Sequence, residues 1–268
     1  MSFDLFEVRS VLFLPASNPR AIAKARESAA DVVVLDLEDA VKPADKAKAR
    51  DAAVNAVTSD WRMPVAIRIN GVGTEWHSLD LDAVARSKTD VAVVPRAASA
   101  HLVREVREAI GKPLLAMIET AAGVLAAPSI AHEAAALIAG TNDLSADLRV
   151  PADAGRAPLQ MALQTIVLSA RAAGIAAFDG VFNRLADADG FAAEAAEGRR
   201  LGFDGKSLIH PDQIAPCNHG FGASKTEIER ARRLVDAFSG GAERFEDQMI
   251  ERMHVEAARR TLARAARP

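Results

Sequence analysis

From residue 10 to residue 211, short apolar runs rich in β-branched residues alternate with longer alanine-rich stretches whose apolar positions recur at helical spacing. This is the pattern of parallel β/α units. Eight such runs lie at residues 11–15, 32–38, 65–70, 91–95, 114–119, 136–140, 175–179 and 206–210. Intervening segments such as 21–30, 45–57, 100–110 and 159–173 are rich in Ala, Lys, Arg and Glu, which are strong helix formers. Each is long enough to cross back over a sheet. A doubly wound open sheet gives the same alternation, but count and polar decoration favour a closed (β/α)₈ TIM barrel. Seven of the eight runs carry a charged or imidazole side chain at or shortly after their ends: Asp36 and Glu38, Arg68, Arg96, Glu119, Asp143, Asp179 and His210. In a closed barrel all such strand ends converge on one rim, whereas an open sheet spreads them along a line.

Beyond Pro211 a loop with Cys217, Gly220 and Gly222 leads to a predicted helix over residues 226–238 that can close the last barrel position, followed by a Ser-Gly-Gly break at 239–241. The expected division is a barrel domain over residues 1–239 and a C-terminal helical arm over 240–268, amphipathic from Val255 onward. The arm packs either on its own subunit or on a neighbour. At 268 residues, half of them apolar, the chain can bury one large core. A formal net charge of −3 without a basic block argues against a nucleic-acid partner. The single cysteine, Cys217, excludes an internal disulfide and any multi-cysteine metal site, and fits a reducing compartment. No run of about 18 apolar residues occurs, and Asp4 and Glu7 stand where a secretory signal needs a cationic start and an apolar stretch. A cytoplasmic protein with no membrane partner is expected.

Glu119 and Asp143 follow the fifth and sixth runs, and neighbouring barrel strands lie about 4.8 Å apart, so their carboxylates can converge. Oxygen ligands without nearby His or Cys suit a hard cation, and magnesium typically takes one or two protein carboxylates. Arg68, flanked by Ile67 and Ile69, must point opposite to both. Pointing inward it meets either Glu38 and Asp39, as an ion pair closing the mouth, or a substrate acid group held through two parallel hydrogen bonds. Asp36, Glu38 and Asp39 put dense negative charge at the end of the second run and read as support for neighbouring ligands. His210 either contacts a substrate or caps its strand. The only lysine in these strand segments that could suggest a Schiff base, Lys206, begins its strand, so a metal-assisted reaction is favoured over an imine one. Gly71-Val72-Gly73 lacks the rest of a dinucleotide or phosphate-loop pattern.

Taken in order, Ser10-Val-Leu-Phe-Leu-Pro, Val34-Leu-Asp-Leu-Glu-Asp-Ala-Val, Arg68-Ile-Asn, Ile118-Glu-Thr, Asn142-Asp143-Leu and Gly205-Lys-Ser-Leu-Ile-His-Pro-Asp-Gln-Ile resemble the citrate lyase beta-subunit-like acyl-coenzyme A lyases of the HpcH/HpaI aldolase group. The resemblance covers nearly the whole chain. It implies a Mg²⁺-dependent carbon–carbon lyase, or the reverse condensation, on a 3-hydroxyacyl-CoA such as malyl-, citramalyl- or citryl-CoA, with a keto acid and acetyl-CoA or a homologue as products. It implies that Glu119 and Asp143 hold Mg²⁺ and that Arg68 binds the keto-acid carboxylate. It further implies that Phe13, Arg20, Lys24, Lys46, Arg50, Ile209 and His210 contact the substrate or its coenzyme A portion. Met249-Ile250-Glu251-Arg252 is similar to a segment that in malyl- and citramalyl-type lyases carries a catalytic aspartate donated by a neighbouring subunit. Here the residue is Glu251, with Asp247 the alternative under a shifted alignment, because Glu246-Asp247-Gln248 replaces a glycine-containing turn. Phe182-Asn183-Arg184 also departs from some relatives. A homo-oligomer, a trimer by resemblance, is implied. A thioesterase or malate-synthase-like activity on the same site, and a non-catalytic acyl-CoA-binding subunit of a citrate lyase complex, are the competing readings.

Overall fold

In the computed structural model, which describes residues 3–265, eight parallel strands close into one barrel. They are β1 (Ser10–Pro15), β2 (Val32–Asp36), β3 (Val65–Arg68), β4 (Val91–Val94), β5 (Leu114–Ile118), β6 (Ala136–Ala139), β7 (Ala176–Asp179) and β8 (Gly205–Leu208), with β8 returning to pair with β1. The expected (β/α)₈ barrel is therefore the fold. Every predicted run overlaps one of these strands, with β1 and β8 each starting one residue before the run.

Period-two alternation sorts the side chains. Val11, Phe13, Val32, Val34, Ala66, Val91, Val93, Leu115, Met117, Ala136, Ile138, Ala176 and Phe178 form one buried cluster that fills the barrel. Continuing each series by two residues puts Asp36, Arg68 and Glu119 on the same inward face at the C-terminal rim. Asp179 immediately follows the inward Phe178 and points the other way, so its place among the rim residues is corrected. It pairs with Lys206 at 3.2 Å and with Arg156, in a charge network that also includes Glu194.

The helices around the barrel start and stop where side-chain chemistry dictates. α1 (Pro19–Arg26), α2 (Lys46–Ala56) and α3 (His77–Arg86) follow the first three strands. Ser99 and Thr120 cap α4 (Ala100–Ile110) and α5 (Ala121–Ala131) by accepting backbone N–H groups. After the short α6 (Thr141–Asp147), α7 (Gln160–Ala173) and α8 (Ala188–Leu201) both end in left-handed glycines, Gly174 and Gly202. α9 (Ile214–Phe221) follows β8. Cys217 on α9 is buried, with Sγ 3.2 Å from the Arg9 carbonyl oxygen. Among the described residues no helix is long and apolar enough to cross a membrane.

The chain divides into two compact units, Met1–Gly220 and Phe221–Pro268, so the division falls upstream of the Ser239 boundary read from the sequence. The reason is local: α10 (Lys225–Ala237), predicted to close the barrel, packs with α11 (Arg252–Ala265). Ala231, Leu234, Ile250, Val255 and Ala258 form a small core of their own. The helical arm expected over 240–268 begins instead with a β-hairpin, β9 (Glu243–Phe245) and β10 (Gln248–Ile250). Its two-residue turn puts Glu246 at φ 53°, the left-handed position that glycine normally takes. Glu246 is tied to Arg230 at 2.9 Å and Arg233 at 3.0 Å. Residues 266–268 of the expected arm lie outside the described residues.

Barrel closure leaves no room at the start of β8, because a Cβ on Gly205 would run into the backbone carbonyls of Val8 and Arg9. We expect Gly205→Ala to destabilise the barrel by about 1–3 kcal/mol, the usual cost of overpacking against backbone. Urea denaturation followed by circular dichroism measures it, and an unchanged midpoint would contradict the close approach.

Candidate active site

The sharpest electrostatic feature of the rim is a buried ion cluster between β2 and β3. Asp36 and Arg68 are register partners on these strands. Arg68 donates from Nε to Asp36 Oδ1 at 2.6 Å and from Nη2 to Oδ2 at 2.7 Å, a two-pronged pair. The same carboxylate accepts the backbone N–H groups of Glu38 at 2.9 Å and Ala40 at 3.1 Å, which folds the chain after β2 back over the barrel mouth. Arg68 Nη1 lies 2.8 Å from Glu38 Oε2 and 3.7 Å from the Met117 thioether, and the guanidinium sits 5.4 Å from the centre of the Phe13 ring. Burial works against the Arg68 charge, but Asp36 and then Glu38 outweigh it and hold its pKa raised. With Asp36 taking up that charge, Glu38 is the surplus carboxylate, and burial pushes it up to about 8 despite Arg68.

Glu119 stands across the mouth, at the end of β5, and is almost fully buried. Its Oε1 accepts the Arg96 backbone N–H at 2.6 Å. Burial raises it to about 7; the Arg96 N–H and the Arg68 charge pull it down, while Asp143 and Asp39 push it up. Gly140, after β6, is packed so closely on Glu119 that any Cβ there would displace the carboxylate. Asp143 extends from α6 and is partly exposed, with Oδ1 3.7 Å from Arg96 Nη1. A pocket of about 360 Å³ is lined by Phe13, Asp36, Asp39, Arg68, Met117, Glu119, Asp143 and Ile209, among others. Acidic and cationic groups thus share a largely apolar floor.

Among the described residues no three His, Cys, Asp or Glu side chains gather into a metal cage. Glu119 and Asp143 are two carboxylates on one pocket wall, and the Asp143 charge is one of the causes that raise Glu119. That donor set suits a hard divalent cation that keeps its remaining positions for water and ligand.

The other sequence candidates are scattered. Phe13, Arg68 and Ile209 line the pocket, as does Asp39. Arg20 and Lys24 are exposed on α1 and do not line it. His210 accepts the Asp212 N–H on Nδ1 at 3.2 Å and starts the turn after β8. Lys46 and Arg50 are not brought to the pocket. Lys46 is buried and donates to the carbonyls of Leu37 at 2.8 Å and Glu38 at 2.7 Å, and to Asn70 Oδ1 at 2.6 Å. Arg50 holds Asp80 at 2.6 Å, and Asp80 in turn accepts from the Asn70 side chain at 2.6 Å. Asp80 was missed because nothing in its helical segment distinguishes it from a solvated aspartate. The contact of Arg96 with Glu119 was missed because it is made by the main chain. Glu251 follows β10 in the second unit, its backbone N–H bonded to His254 Nδ1 at 3.0 Å, while Asp247 is exposed and paired with Arg244. In the segment after β7, Phe182 packs edge-on to Phe191, and Asn183 bonds Asn142 at 2.7 Å.

Residues 9–211 match the model of the HpcH/HpaI aldolase/citrate lyase family. A (3S)-malyl-CoA thioesterase of Cereibacter sphaeroides is 41% identical over 99% of this chain and 97% of its own length. A citrate lyase subunit beta-like protein of Deinococcus radiodurans is 35% identical over 97% of this chain and 98% of its own. Among solved structures, protein CitE from Mycobacterium tuberculosis in complex with magnesium, acetoacetate and coenzyme A superposes with a TM-score of 0.85 at 33% identity, covering 98% of this chain and 100% of that one.

Glu119 and Glu38 are raised in the folded protein from the ordinary 4.5 to about 7 and about 8. Each therefore binds its proton more tightly folded than unfolded. The stability each adds is complete below pH 4.5 and is lost as pH climbs through the folded values. In the presence of EDTA, urea stability should fall between pH 4.5 and 8, and Glu119→Gln should remove part of that slope, up to ~1.4 kcal/mol per pH unit. Parallel wild-type and variant curves across that interval would refute the buried-carboxylate assignment.

Proposed function

The chain belongs to the HpcH/HpaI aldolase/citrate lyase family, and on that premise we propose that it is a Mg²⁺-dependent lyase cleaving a 3-hydroxyacyl-CoA to a keto acid and acetyl-CoA or a homologue. The observation that carries this reading is the convergence of Glu119, Asp143 and Arg68 on one pocket. Glu119 and Asp143 would hold the ion, which when bound polarises the substrate oxygen that becomes the ketone.

Arg68 orients the acid end of the substrate. Its long contact to Met117, a weak acceptor, is the one that a carboxylate oxygen would take over. The bonds to Asp36 keep the guanidinium planar with that approach and charged throughout. Phe13 and Ile209 supply apolar contact beside it. Arg20 and Lys24, free in solvent on α1, suit the phosphates of coenzyme A. The buried hydrogen bonds of Lys46 and the ion pair of Arg50 favour a supporting role for the chain after β2 over direct ligand contact. Glu251 is proposed to move the proton at the thioester α-carbon, an assignment resting on the resemblance of residues 249–252 and on the reading of 240–268 as an arm serving a neighbouring subunit of a homo-oligomer.

The second reading is a thioesterase, favoured by the Cereibacter sphaeroides relative: the same acid clamp would serve hydrolysis of the thioester. Incubation of metal-replete protein with malyl-, citramalyl- and citryl-CoA distinguishes the two. The lyase yields keto acid plus acyl-CoA, whereas the thioesterase yields free hydroxy acid plus coenzyme A. A chain that binds acyl-CoA without turnover would be a binding subunit instead. Glu119→Gln is expected to lower kcat/KM by about 100-fold or more with the fold retained, and Arg68→Ala by as much with a loss of stability as well, because Asp36 is left buried without its countercharge. Full turnover in either variant would overturn the site.

A further inference from the structure

Arg96 occupies a backbone conformation that arginine rarely adopts, with φ 49°, two residues beyond the end of β4. A side chain kept in the left-handed region, where glycine would be comfortable, is paid for by the surrounding structure and points to a role. Two contacts define what that role can be. The strained backbone aims the Arg96 N–H at Glu119 Oε1, 2.6 Å away, and so fixes the rotamer of a carboxylate whose other side is confined by Gly140. The guanidinium, meanwhile, reaches toward Asp143, with Nη1 3.7 Å from Oδ1. One residue thus touches both carboxylates proposed above as cation ligands, one through its main chain and the other through its side chain.

We propose that Arg96 is a positioning residue that sets the cation affinity of this site: its main chain orients Glu119, and its guanidinium is the resident countercharge of Asp143 that an incoming divalent ion must displace. The proposal rests on the assignment of Glu119 and Asp143 as the cation ligands. The two roles separate chemically, because glycine at this position keeps the N–H and relieves the conformation while removing the charge. A positive group a few ångströms from a cation site opposes binding by ordinary Coulomb repulsion, and the partly exposed Arg96–Asp143 pair offers only modest attraction of its own. The expected effect is therefore a shift in affinity, not a collapse of the site.

Direct titration of Mn²⁺ as a paramagnetic probe, and of Mg²⁺ by calorimetry, in the absence of any substrate reads this without relying on turnover. R96G and R96Q should both bind the ion about three- to tenfold more tightly than wild type, whereas R96K, which keeps the charge, should stay near wild type. R96Q keeps the strained backbone, so agreement between the two neutral variants assigns the shift to charge alone. Unchanged or weaker binding in both neutral variants, or an R96K that behaves like R96G, would overturn the proposal. Failure of the underlying assignment looks different: the wild type would then bind no ion, or Glu119→Gln would bind it as well as wild type.

Discussion

The buried pair of Asp36 and Arg68 is the constraint on which the mouth of the barrel depends. A guanidinium inside a barrel of aliphatic side chains would be prohibitively costly without a partner. The register of β2 against β3 puts a carboxylate directly beside it. The same carboxylate accepts two backbone N–H groups of the following segment, so the ion pair, the loop after β2 and the position of Glu38 are one cooperative unit. Removing either partner would leave an uncompensated charge where water has little access, and removing Asp36 would also take away the acceptor that folds the loop.

Behind that unit lies a relay that reaches the surrounding helices. Arg50 on α2 holds Asp80 on α3; Asp80 holds Asn70; Asn70 and two loop carbonyls hold Lys46. Helix packing outside the barrel is thereby linked to the height of the loop above Arg68. On the opposite wall the strategy differs. Among the described residues no cationic side chain is bonded to Glu119, which is held instead by a backbone N–H and by the closeness of Gly140. One wall carries a guanidinium bonded to its carboxylates, and on the other Glu119 is left to the main chain, which is the asymmetry a cation and an anionic ligand would exploit together.

The barrel was legible because its signal is redundant: eight apolar runs, each with helix-forming residues after it, agree with one closed topology. The inward direction of Arg68 followed from its opposition to two isoleucines together with the cost of burying an unpaired guanidinium among the helices. What was not legible depends on contacts remote in sequence or on the main chain. Asp179 lies one residue beyond the inward Phe178, and a single step in a period-two pattern reverses its face. Lys46 and Arg50 look like surface cations on an amphipathic helix until Asn70 and Asp80 are brought against them. The hairpin at 243–250 has strands of three residues each with mixed polarity, and its turn lacks glycine. Neither alternation nor turn chemistry announces it.

Cys217, the only cysteine of the chain, is buried on α9, and burial pushes its thiol up to about 12. At neutral pH it is therefore overwhelmingly the unreactive protonated form. A cysteine introduced on the exposed surface of either unit would react with a maleimide or a spin label essentially alone, without first deleting the native one. Interprobe distances between the barrel unit and the 221–265 unit can accordingly be measured, with one cysteine placed on each, on an otherwise unaltered protein.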